Sequence, residues 1–218
     1  MVIDPSRFHL LNVADTCAVW NVLSSIRLYN AAKEARCLFC ITDFVRYECL
    51  AKARKGPPSA ADSELMSRLN RERSRGHFES HACTMEDLQS IALLERRRRL
   101  GKGELSSIAF AMKIRQAVIT DDQKARKLAA EVGHAMTQTT PHLFGWLYFR
   151  GHLGDSDLAL VVAQHEAMDQ DLTRHFHDSY ALALICKRNS LTLATGVQAT
   201  SAATPALGSP TVRSPAGP

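Results

Sequence analysis

No run of apolar residues approaches the roughly 18 needed to cross a bilayer, and Met1 to Leu11 lacks the basic-then-apolar layout of a secretory leader. These absences give the expectation of a cytoplasmic protein with no membrane partner. A glycine-rich phosphate loop is missing as well: Gly101 and Gly103 precede a helix but lack the rest of a Walker or dinucleotide motif. There is no internal repeat. Cys37-Leu-Phe-Cys40 has zinc-knuckle spacing without a second pair to complete four ligands, and residues three apart on a strand point to opposite faces. With no export signal, Cys17, Cys37, Cys40, Cys49, Cys83 and Cys186 read as reduced thiols, several of them inside apolar stretches. His77 and His81 with Cys83, and His175 with His177, form loose groups more typical of surface or helix-end histidines than of ligands.

What is present suffices for one substantial core, since the chain has 218 residues and is 45% hydrophobic. We expect one domain over residues 1–190 with a basic helical insertion around 60–77. Residues 191–218 are rich in Ala, Ser, Thr, Pro and Gly and are expected to be a disordered tail. The formal charge is +5 and the pI about 9.0. Arg68, Arg71, Arg73 and Arg75 share one stretch, and Arg96, Arg97, Arg98 and Arg99 form another just before Gly101. Two readings stay open at this point, solvated helix faces or contacts to a polyanion.

Short apolar runs alternate with helical periodicity along the chain. Phe8 to Ala14 reads as a strand ending at Asp15, followed by a helix carrying Val19, Val22, Leu23 and Ile26. Cys37 to Ile41 is a second strand, closed by Thr42 and Asp43, either of which can cap the helix that carries Glu48. After Gly56-Pro57-Pro58 come a polar helix from about Ala60 to Arg75, a strand near Phe78 to Thr84 and a helix from Met85. Glu104 opens the next helix, Ala117 to Thr120 forms a strand stopping at Asp121 and Asp122, and Gln123 to Glu131 is the helix behind it. A short strand over Ala135 to Thr139 and helices over Pro141 to Arg150 and Asp155 to His175 complete the pattern. Such alternation predicts parallel pairing with right-handed crossovers, hence a three-layer α/β/α sandwich around a parallel sheet.

In open parallel sheets, ligands bind beyond the carboxyl ends of the strands. Asp15 and the pair Asp121-Asp122 stand just past such ends, while Glu48 and Glu104 ride near the starts of helices that can reach the same edge. Each has a plainer reading, as a helix cap or a first-turn acid favoured by the helix dipole. The argument for a site is their joint placement at one end of one sheet. Carboxylates gathered this way repel one another unless a cation neutralises them, and oxygen-only ligands suit Mg²⁺ or Mn²⁺. Such cations act on phosphodiesters by acidifying water and stabilising the leaving oxygen. The arginines gain meaning from this site: Arg96 to Arg99, Lys102, Lys124 and Arg126 are placed to meet phosphates that the acids would repel. Stacking aromatics are sparse around these basic positions, so no base reading is visible there.

Four segments resemble the PIN-domain proteins found as toxins in bacterial toxin and antitoxin pairs. They are Val13-Ala14-Asp15-Thr16, Thr42-Asp43-Phe44-Val45-Arg46-Tyr47-Glu48, Gly103-Glu104-Leu105-Ser106-Ser107-Ile108-Ala109 and Ile119-Thr120-Asp121-Asp122-Gln123-Lys124-Ala125-Arg126. The resemblance implies a divalent-metal endoribonuclease that leaves a 5′ phosphate. By motif, Asp15, Glu48, Glu104 and Asp122 match the acidic metal positions, Asp121 an auxiliary one, and Thr16 and Thr120 polar neighbours that orient a carboxylate or water. RNA, an antitoxin and a second copy of the chain are the candidate partners. The insertion and the long tail depart from the small toxins; a clip over the substrate and an antitoxin dock are the two readings of the insertion.

The rival from another class is a catalytically silent module that binds RNA or a partner. A phosphatase or phosphoacceptor is weaker, because Thr16 and Cys17 follow Asp15 where Asp-x-Asp is expected. Cys17 lacks a base and an orienting partner for thiol catalysis, and Asp155 and Asp157 read as caps.

Overall fold

The computed structural model describes residues 4–53, 56–95 and 99–201. Arg96, Arg97 and Arg98 fall outside them. Five strands pair in parallel: β1 (Leu11–Ala14), β2 (Leu38–Thr42), β3 (Glu79–His81), β4 (Ala117–Ile119) and β5 (Thr137–Gln138), in the order β3-β2-β1-β4-β5. The expected α/β class and parallel sheet are therefore the ones observed.

Period-two alternation sorts each central strand between two cores. Ala14, Phe39, Ile41 and Ile119 face one core, whereas Val13, Cys40 and Val118 face the other. The first core is closed by α1 (Thr16–Ser24), α2 (Ile26–Glu34), α4 (Ala60–Arg73), α8 (Thr140–Phe149), α9 (Asp157–Glu166) and α10 (Thr173–Ser201). The second is closed by α5 (Met85–Glu95), α6 (Lys102–Ile114) and α7 (Gln123–Glu131). Helix α3 (Asp43–Leu50) bridges them, with Val45 and Cys49 in the first core and Phe44 against the second. This is a sheet between two helical layers.

The structure departs from the sequence expectation in three places. The helix expected after Asp15 is two, because Ser25 is extended (φ −106°, ψ 113°) and its hydroxyl accepts the Leu28 N–H to start α2 afresh. The single helix expected over Asp155 to His175 is divided between α9 and α10. Helix α10 then runs on past His175 to Ser201, and the remaining tail lies outside the described residues.

The basic insertion is a packing element. Leu65 and Leu69 of α4 are buried in the first core, and Arg68 donates to the carbonyls of Leu23 and Ser24 at the C-terminal end of α1, where a cation is favoured. Arg75 donates to Glu72 and Arg73 to Ser80, while Arg71 is exposed. Helix α4 thus engages the end of α1 remote from Asp15, which does not suit a clip over the acids. Among the described residues no helix is long and apolar enough to cross a membrane.

Candidate active site

The strand order reverses between β1 and β4, so the loops leaving these neighbours run to opposite faces and leave a crevice beyond their carboxyl ends. Asp15 follows β1 at that point, and Thr120, Asp121 and Asp122 follow β4. Asp15 is fully buried and caps α1, its Oδ1 accepting the Ala18 N–H at 2.8 Å. Its Oδ2 is buried and makes no hydrogen bond of good geometry, although the Thr120 hydroxyl is near the carboxyl. Burial pushes the Asp15 carboxyl up to about 7, the Thr120 hydroxyl and the Ala18 N–H pull it down, and the charges of Asp121 and Glu104 raise it further. An N-cap needs one carboxylate oxygen only. The second is left facing other acids.

Glu48 and Glu104 meet at the start of α6. Thr16 Oγ1 donates to Glu48 Oε2 at 2.6 Å, and the Gly103 N–H donates to Glu48 Oε1 at 3.3 Å. A Cβ on residue 103 would overlap the Glu48 carboxylate and lie 2.8 Å from Thr16 Oγ1, so a larger residue would push that carboxylate aside. A Cβ on residue 101 would come to 2.5 Å from Glu104 Oε2. The two glycines that fit no nucleotide motif are the space into which two carboxylates fold. Glu104 Oε2 is, like Asp15 Oδ2, buried without a donor. Burial raises the Glu104 carboxyl, and the nearby charges of Glu48 and Asp122 add to that, while Lys52 offsets part of it.

Asp122 caps α7, its Oδ1 accepting the N–H groups of Lys124 and Ala125, and its own N–H donates to Thr120 Oγ1 at 3.2 Å. Asp121, like Glu48, has both its oxygens engaged. Oδ2 accepts from Asn21 Nδ2 at 2.8 Å and Thr140 Oγ1 at 2.6 Å, and Oδ1 accepts the Thr140 N–H at 2.9 Å. Asp121 thereby ties α1 and α8 to the end of β4.

A family model described as a PIN domain matches residues 13–140, more than half of the chain. The chain belongs to the PIN-domain family. The match runs from β1 to the start of α8 and so contains all the acids described above. None of the curated proteins compared with the chain matches it. The PIN domain is generally a nuclease fold.

Whether this PIN domain suits a divalent cation can be judged from its oxygens. Among the described residues, no three His, Cys, Asp or Glu side chains are gathered closely enough to hold a metal ion by themselves. Mg²⁺ does not demand that, since it usually takes one or two carboxylates and completes its octahedron with waters and a substrate phosphate. Asp15 Oδ2 and Glu104 Oε2 are hard oxygen donors, buried and without partners, in mutually repelling carboxylates. This donor set fits a hard cation better than it fits any protein partner.

The remaining predicted positions divide by surroundings. Thr16 donates to Glu48, and Thr120 accepts the Asp122 N–H. Lys102 and Lys124 are exposed, as is Arg99, while Arg126 donates to the carbonyls of Thr120 and Asp121 and so braces the loop after β4. Burial beside Asp15 and Asp121 pushes the Cys17 thiol up to about 12, which keeps it protonated and unsuited to nucleophilic attack. Asp155 accepts from the hydroxyls of Tyr148 and Tyr180, and Asp157 pairs with Arg27. Both are structural. Sequence reasoning missed Asn21 and Thr140. Their only sequence signal is a polar residue inside an otherwise apolar helix and another beside a helix-opening proline.

Proposed function

We propose that the chain is a divalent-metal-dependent endoribonuclease in which Asp15, Glu48, Glu104 and Asp122 hold the cation. The observation that supports this best is the pair of buried oxygens without donors, Asp15 Oδ2 and Glu104 Oε2, set at the reversal of strand order. A buried carboxylate oxygen without a partner is costly, so two of them, on acids near enough for the charge of Glu104 to raise Asp15, favour positive charge from outside the chain. When bound, such a cation supplies charge for the phosphate and acidifies water.

The chain's own residues do the positioning. Thr16 and the Gly103 N–H fix Glu48, Asp122 is fixed by the first turn of α7, and Asp121, held by Asn21 and Thr140, sets the loop that carries Asp122. Water adds to phosphorus, the bond to the 3′ oxygen breaks, and that oxygen takes a proton, leaving a 5′ phosphate and a 3′ hydroxyl. Lys102, Lys124 and Arg99 are exposed cations available to the phosphates. RNA is the proposed substrate. An antitoxin protein and a second copy of the chain are proposed partners that rest on the sequence resemblance.

The test is cleavage of single-stranded RNA by the purified chain in Mg²⁺ or Mn²⁺ and in EDTA. Expected are cleavage that requires the metal and its loss in Asp15→Asn and Asp122→Asn. Cleavage retained in both folded variants would overturn the site. RNA binding with no cleavage in either metal would instead favour the silent module.

A further inference from the structure

A groove of about 740 Å³ opens beside the acids, lined among others by Phe44, Tyr47, Glu48, Lys52, Cys83 and Lys102. Its volume falls within the roughly 300–1,000 Å³ typical of ligand clefts. Glu48 belongs to both the groove and the carboxylate cluster, so whatever lies in the groove touches the site. Tyr47 is 54% exposed and Phe44 half-buried; three residues apart on α3, they share a helix face. Lys102 Nζ lies 6.0 Å from the Phe44 ring centroid, and Lys52 is close enough to ease the charge on Glu104. The lining therefore combines aromatic surface with cations at the edge of an anionic centre.

We infer that this groove receives an unpaired base of single-stranded RNA adjacent to the scissile phosphate, stacked on Tyr47, with Lys52 and Lys102 on its flanking phosphates. The inference rests on the nuclease reading and adds to it the residues that seat the base. An apolar ligand alone would leave the lysines without a role, and a bare phosphate would leave Tyr47 without one. A nucleotide uses both, through a flat apolar face and an anionic backbone. Bases in a duplex have their faces covered by stacking, so the groove selects unpaired ones. Tyr47 and Glu48 both line the groove, so a strand stacked at Tyr47 lies beside the acids.

The test measures binding of the full chain to a fluorescently labelled single-stranded RNA in EDTA, where cleavage plays no part, beside KM and kcat in Mn²⁺. Tyr47→Ala should weaken binding about five-fold or more, the lower bound for losing one stacked base, and Tyr47→Phe should stay within about two-fold of the parent. KM should rise in Tyr47→Ala with kcat little changed. Lys102→Ala should lower the slope of log affinity against log salt by about one, as expected for one phosphate contact. Replacing one nucleotide at a time by an abasic one should reproduce the Tyr47→Ala loss at a single position next to the cleaved bond. Equal binding by Tyr47→Ala and the parent, a preference for duplex, or no RNA binding at all would overturn the inference. Tyr47-dependent binding without cleavage would overturn the nuclease reading and leave the base seat standing.

Discussion

Two sets of buried acids in this protein are treated in opposite ways. Glu72 accepts from the Tyr29 hydroxyl and pairs with Lys33 and Arg75, Asp87 pairs with Lys113, and Asp157 takes the Arg27 guanidinium with both oxygens. Burial works against their charge, yet hydrogen bonds and cations outweigh it and hold all three carboxyls below their ordinary values. At the β1–β4 crevice the balance is reversed. Asp15 is buried and Glu104 half-buried near other acids, and both are raised. Among the described residues, cations neutralise Glu72, Asp87 and Asp157, whereas Asp15 and Glu104 each keep a buried oxygen without a hydrogen bond. On the proposed function, that difference separates a structural carboxylate from one that receives an external charge.

The sharpest way to break the comparison is to neutralise each kind of acid. Asp15→Asn should keep the α1 cap, since Asn caps as well as Asp, yet lower metal-dependent RNA cleavage by about 10²-fold or more in a single-turnover assay. The same variant should be more stable than the parent without metal at pH 8, by roughly 1–4 kcal/mol in urea melts. The sign follows from proton uptake. With a carboxyl raised from 3.8 to about 7, the folded state holds a proton between those values that the unfolded state has released. Its contribution is fully present below pH 3.8 and is lost as pH rises through 7. A stability gap between Asp15→Asn and the parent that does not widen over that window would show that Asp15 is compensated.

Arg27→Met tests the other kind. It leaves Asp157 without its partner and should cost about 2–3 kcal/mol, with RNA cleavage unchanged at temperatures well below its melting point. A smaller step is Thr16→Val, which removes the hydroxyl from Glu48 while preserving shape. Cleavage should fall about ten-fold, with little change in Tm, as for other residues that orient a ligand.

The gentlest prediction concerns His165, buried and lowered to about 4, with Ser24 against its Nδ1 and no partner for Nε2. Ser24 Oγ already donates to the Asn21 carbonyl, so its one hydrogen is spent and Nδ1–H is the donor between them. For this group the folded state refuses a proton that the unfolded state accepts. Stability is present above pH 6.5 and is lost as pH falls towards 4, opposite in sign to Asp15. Asp15→Asn should therefore expose a rise of about 1 kcal/mol or more between pH 4 and 6.5 that the parent partly masks.

The layers were legible in the sequence because the strands are short, apolar and each followed by a helix pattern. The acids were legible because each stands at a boundary that chain order alone reveals: Asp15 after a strand, Glu104 in a first turn, Asp122 before a helix. The clasp on Asp121 was not, since Asn21 and Thr140 reach it from positions 100 and 19 residues away. The role of the first arginine group was hidden for a similar reason. Charge density suggests a polyanion, but Arg68 is drawn to the last carbonyls of α1, a partner visible only once α4 has packed. The extent of α10 escaped composition because a helix already nucleated by packing against α8 and α9 adds one bond per further residue, whatever its amphipathicity.

One helix carries handholds both to the end of β1 and to Glu48 on α3. Ser107 on α6 donates to the Ala14 carbonyl, one residue ahead of Asp15; Gly103 on the same helix grips Glu48, and Glu104 is its own. A slide of α6 by even a fraction of a turn would loosen these attachments together, so the chamber opens or keeps its shape as a unit. Its tolerance is set by how firmly that one rod is seated on the sheet.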